Sequence, residues 1–221
     1  MLALLERLRA FYGALPLPPS HPFGIYIWEV LSIGTTPARR DAAFNALKRI
    51  PALTPDAVAR LPQAKLEGAV AHAGSMKDER VRALRAGADA FRRNPGLIED
   101  LGGSLPRALR AARRIPHLGR ASTLRLLLFS GAAPVLPLDE HAFRVAQRLG
   151  YGSRADLQVG PTTRLLRVTR HALVAESGAN VDMLRALTLY FTHHGLATCT
   201  QAAPHCAVCP LAPDCEWLRR Q

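Results

Sequence analysis

Residues Cys199–Cys215 read CTQAAPHCAVCPLAPDC, and every cysteine of the 221-residue chain lies in this stretch. Cys199, Cys206, Cys209 and Cys215 form the spacing Cys-x6-Cys-x2-Cys-x5-Cys. Pro204, Pro210 and Pro213 stand between the thiols and stiffen the loops, which lowers the entropy lost when four sulfurs converge on one centre. Thiols clustered in this way point to metal binding rather than to disulfides in a cytosolic chain. Zinc usually draws on two close pairs separated by a longer insert. Here a single CxxC is flanked by a lone cysteine on each side. A four-iron, four-sulfur cluster also takes four thiolates, and a compact loop can wrap it. The spacing favours the iron-sulfur centre over zinc, and either over four unliganded thiols.

Upstream of this loop, apolar residues recur three and four apart nearly everywhere, and alternating strand-like runs are scarce. The chain therefore reads as all-α. Periodicity and the placing of proline and glycine predict helices over 2–14, 23–33, 38–49, 55–60, 63–72, 76–93, 105–112, 120–130, 139–148, 162–176 and 180–195, with Thr54, Ser104 and Asp139 as caps. The length suffices for one large core or two small ones. There is no internal repeat, low-complexity tract or long linker.

The hydrophobic fraction of 48% and charged fraction of 21% are those of an ordinary globular protein, and no apolar run is long enough for a bilayer span. The opening MLALLERLRAFYGAL carries Glu6, Arg7 and Arg9 where a secretory leader would be apolar, so a cytoplasmic location is expected. A formal charge of +12 points to a polyanionic partner. Almost all of that charge is arginine, since Lys48, Lys65 and Lys77 are the only lysines.

Three further stretches bear chemistry. In IPHLGRAST, Ile115–Thr123, a glycine turn opens onto a helix N-terminus, where successive amide N–H groups and the helix dipole can receive a phosphate. A plain helical corner has the same local pattern. In PLDEHAFRV, Pro137–Val145, Asp139 precedes a helix, where it can cap or serve as a fixed carboxylate. In HPFGIYIWEVLSIGTT, His21–Thr36, a lone Glu29 sits in an otherwise apolar helix beside Tyr26 and Trp28.

Together with the cysteine spacing, and with His194-Gly195 and Thr198 leading into Cys199, these stretches resemble the endonuclease III family of helix-hairpin-helix DNA glycosylases. The resemblance implies a helix-hairpin-helix domain over 23–133, an iron-sulfur domain over 1–22 and 134–221, and a DNA-binding cleft between them. It implies a structural 4Fe-4S cluster on the four cysteines. Ile115, His117, Leu118, Gly119 and Arg120 match the hairpin that grips one strand of double-stranded DNA, often with a monovalent cation shaping the turn. Asp139 matches the catalytic aspartate, which stabilises the oxocarbenium-like sugar as the N-glycosidic bond breaks.

The chain also departs from the family pattern. His117 replaces the first hairpin glycine, and Gly34 replaces a glutamine that inserts into the duplex, leaving Met76 as the better filler. The cluster loop from Thr200 to His205 has no Lys or Arg. Ala121 stands where bifunctional members have a Schiff-base lysine. Glu29 falls where the adenine-removing branch has a purine-protonating acid, which makes it a second catalytic candidate. The resulting expectation is a monomeric, nucleoid-associated, monofunctional glycosylase acting by water attack on lesion-bearing DNA. The competing reading is a lesion-binding homologue whose catalysis is weak or lost.

Overall fold

Local sequence sets most of the helix starts. The computed structural model describes residues 1–152 and 162–221, and all regular elements among them are helical. They are α1 Leu2–Tyr12, α2 Pro22–Ser32, α3 Pro37–Arg49, α4 Pro55–Arg60, α5 Gln63–Val70, α6 Lys77–Arg93, α7 Leu97–Leu101, α8 Leu105–Ala112, α9 Arg120–Phe129, α10 Glu140–Arg148, α11 Thr163–Glu176 and α12 Val181–Ala197, with four short 3-10 turns. Prolines at the first helical position open α2, α3 and α4, where the missing N–H has no intrahelical partner to lose. Thr54 and Asp139 cap α4 and α10 through their side chains, and Thr36, Thr162 and Asn180 do the same for α3, α11 and α12. Ser104 precedes α8 but makes no capping bond. Pro106 in the first turn removes one of the two N–H groups that a cap could bind.

Two departures from the sequence reading are of one kind. Helix α7 has five residues, too short to show a period, and the 3-10 turns have three residues each. No helix among the described residues is long and apolar enough to cross a membrane.

The chain divides into two compact units, one of Met1–Leu17 with Pro134–Gln221 and one of Pro18–Ala133. In the second unit α2 is buried from Phe23 to Leu31, as expected for a helix apolar on all sides. Gly87 of α6 admits Tyr26: a Cβ there would lie 2.0 Å from the ring. The Tyr26 hydroxyl donates to Ala83 O at 2.5 Å, and Phe91 meets Phe23 edge-on at 5.2 Å. Trp28 packs edge-on against Phe44, with the Arg40 guanidinium 4.0 Å from its ring centre. Tyr26 and Trp28 are thus core residues, not exposed stacking platforms.

In the first unit α10 lies against α12, and α12 also carries α1. Gly195 makes the first contact possible, because a Cβ at that position would come within 2.6 Å of His141 O. The Tyr12 hydroxyl ties α1 to α12 through His194 Nδ1 at 2.7 Å and Thr198 Oγ1 at 2.6 Å.

Candidate functional site

Asp139 sits half-buried at the N-cap of α10. Its Oδ1 accepts from Ala142 N–H at 2.8 Å, and its Oδ2 accepts from the Thr192 hydroxyl on α12 at 2.7 Å. Both oxygens are therefore fixed, one by its own helix and one by the neighbouring helix that Gly195 allows to approach. Each carboxylate oxygen carries two lone pairs, so a carboxylate can accept more than two hydrogen bonds. Thr192 was not singled out from the sequence. A threonine inside an apolar-periodic helix gives no local sign that it faces a carboxylate 53 positions away.

Further along α10, two arginine side chains reach the cysteine loop. Arg144 donates to Cys199 O at 2.9 Å and to Gly195 O at 2.7 Å. One turn on, Arg148 donates to Cys199 Sγ at 3.2 Å and Thr200 O at 2.9 Å, with its guanidinium 4.5 Å from the Trp217 ring centre. Cys199, Cys206, Cys209 and Cys215 are free thiols lining one small pocket with Arg148, Thr198 and Trp217. Burial pushes the Cys199 thiol up, opposed by its hydrogen bond from Arg148, and burial likewise raises Cys209. His194 faces Cys209 Sγ through Nε2 at 3.5 Å, and burial, helped by His193, pushes it down to about 4. No three of the described His, Cys, Asp or Glu side chains are arranged around a single metal ion. Four thiols lining one pocket, with one Arg148 N–H donated to Cys199 Sγ, form a donor set able to serve a centre that takes four thiolates.

In the second unit, α8 and α9 are joined by residues 113–119. Ile115 is buried and anchors the turn, while His117, Gly119 and Arg120 are exposed. Intrahelical bonding in α9 begins with Thr123 N–H to Gly119 O at 2.9 Å. The amides of Arg120, Ala121 and Ser122 precede it at an end that Gly119 caps without a side chain, an arrangement able to hold an anion. His117 has φ +62°, so the position suits glycine as its place in the turn suggests. His117→Gly is expected to raise stability by about 1 kcal/mol, read as an upward shift of Tm. A fall in Tm would mean that the imidazole makes a native contact worth more than the strain.

Glu29 requires a correction. It is 5% exposed, and both of its oxygens accept from Arg125 of α9, Nε at 2.8 Å and Nη2 at 2.9 Å. A carboxylate gripped in this bidentate way is a structural anchor between α2 and α9, with both of its oxygens engaged by the guanidinium. Gly34 and Met76, read separately from the sequence, meet in space: a Cβ on Gly34 would lie 3.4 Å from Met76 Sδ.

No family model matches the chain. The endonuclease III of Haemophilus influenzae is 25% identical over 221 residues, covering 99% of this chain and 96% of the relative. A thermostable thymine-DNA glycosylase superposes with a TM-score of 0.72 at 16% identity, covering 100% of this chain and 97% of that one. A non-covalent endonuclease III–DNA complex does so with a TM-score of 0.68 at 21% identity, covering 98% and 94%. The fold is that of the helix-hairpin-helix DNA glycosylases. Endonuclease III sequences are similar to it at low identity along nearly its whole length.

Proposed function

We propose that this protein is a base-excision-repair DNA glycosylase that binds double-stranded DNA carrying a damaged or mismatched base, extrudes that base and removes it by water attack. The observation behind this reading is Asp139, a half-buried carboxylate held on both oxygens by Ala142 N–H and Thr192 Oγ1. As the N-glycosidic bond lengthens, positive charge builds on the deoxyribose. A carboxylate already fixed in place stabilises that charge without reorganising and can orient or activate the attacking water. The amides at the start of α9, with Leu118 and Arg120 beside them, would take a DNA phosphate without reading sequence. The net charge of +12 would strengthen that grip at low salt.

Four thiolates at Cys199, Cys206, Cys209 and Cys215 would hold a 4Fe-4S cluster, which supplies cross-bracing and no step of the reaction. Arg148 and Arg144 would offset its negative charge and hold the loop to α10.

The reading is monofunctional. Ala121 occupies the first turn of α9, and no lysine follows Lys77 in the sequence. Arginine stays protonated and cannot form a Schiff base. Incubation with duplexes bearing an oxidised pyrimidine, a thymine mismatch or an alkylated purine is expected to release free base from at least one, leaving the strand intact until alkali is added. Strand cleavage before alkali, trapped covalently by borohydride, would contradict the monofunctional assignment. Binding with no release across the panel would favour the lesion-binding homologue.

A further inference from the structure

Arg80 of α6 is 2% exposed and has no carboxylate partner among its hydrogen bonds. Its Nη1 donates to Ser75 O and its Nη2 donates to Ile33 O at 2.5 Å. One guanidinium thus holds two loops whose carbonyls lie on either side of it. The Thr35 hydroxyl adds a second tie, donating to Ala73 O at 2.7 Å. Above these ties the backbone is left-handed at Gly34, φ +60°, and at Met76, φ +66°, and Met76 bears a side chain that this conformation disfavours. Two large apolar side chains stand out from the loops, Ile33 at 47% and Met76 at 43% exposed. Met76 Sδ covers Gly34, and the Arg39 guanidinium lies 3.2 Å from where a Cβ on Gly74 would stand. An apolar edge with a cation beside it matches the stacked bases and phosphate rail of a duplex.

Building on the glycosylase reading, we infer that Arg80 is a positioning residue that locks Ile33 and Met76 into one apolar edge, and that this edge fills the gap left by an extruded base without reading the base opposite. A burial cost on a charged arginine is set against the alignment of the loops that carry Ile33 and Ser75. An alkyl chain and a thioether offer stacking and volume but no strong donor or acceptor, so they cannot tell the four orphaned bases apart.

The test uses the purified full-length chain and duplexes carrying a tetrahydrofuran abasic analogue opposite A, C, G or T, with an intact duplex as reference. The four abasic duplexes are expected to bind within about threefold of one another, and each more tightly than the intact duplex by about tenfold or more. Met76→Ala and Arg80→Met are each expected to reduce that preference about tenfold. Arg80→Lys, able to reach only one carbonyl, should fall in between. 2-Aminopurine placed opposite the gap should brighten with the parent chain and less so with Met76→Ala when both are folded and saturate the duplex. A preference unchanged in Met76→Ala, or a spread above about tenfold among the four opposite bases, overturns the inference. If Arg80→Met does not fold, Arg80→Lys and Met76→Ala decide it. These are binding measurements, so failure to release any base would sink the glycosylase reading and leave the edge standing, whereas failure to bind duplexes at low salt would sink both.

Discussion

Asp139→Asn is expected to lower single-turnover base release by about a thousandfold or more with little change in Tm. The substitution separates the two tasks that one carboxylate performs. Asparagine is as good an N-cap as aspartate, so its amide oxygen can still accept from Ala142 N–H. Its NH2 group then faces Thr192, whose hydroxyl can turn to accept. The fold keeps both bonds, and only the negative charge disappears. Asp139→Ala is the less clean variant, because losing the cap costs about 1 kcal/mol in addition. Thr192→Val should reduce release about tenfold through a less well-held carboxylate, and Thr192→Ser should restore it. Full activity in Asp139→Asn, measured on whichever duplex the parent chain processes, would remove this residue from the chemistry and leave it as a cap.

Cys199→Ala should have the second large effect, on folding before activity. Cys199 is the thiol that Arg148 bonds directly, and its carbonyl is the one that Arg144 holds. Both arginines belong to the helix that begins at Asp139. A ligand-bound centre contributes its binding free energy to the fold, so losing one of four thiolates should release the loop and then the end of α10. The expected result is a colourless or largely insoluble product, with soluble yield down several-fold or more and base release lost with it. The parent chain, prepared anaerobically, should contain about four iron atoms and absorb near 400 nm. One zinc per chain, or soluble and active Cys199→Ala, would contradict the cluster assignment.

Much of the architecture was legible along the chain because helices are local. The period of apolar residues, Pro22, Pro37 and Pro55 at first helical positions, and caps such as Thr54 and Asp139 are all decided within a few residues of one another. Helix α7 escaped because five residues cannot display a 3.6-residue period. The candidate site was legible where chemistry restricts residue type: four thiols at a compact spacing, an acid before a helix, and an alanine where a lysine would have been needed. At Glu29 the sequence left a catalytic and a structural reading open, and the structure pairs it with Arg125. A carboxylate in an apolar helix looks the same in one dimension whether it awaits a substrate or is paired.

Sequence alone therefore determined the helical class, the thiol set, the position of Asp139 and the lack of a nearby nucleophilic amine, since each depends on residue identity or short-range spacing. The tertiary structure alone decided that Thr192 holds Asp139, that Arg125 neutralises Glu29, and that Arg80 joins the loops of Ile33 and Ser75. Those partners stand 53, 96 and, for Arg80 with Ile33, 47 positions apart. At such separations no helical period links one residue to the other, and only the packing of whole helices brings donor to acceptor.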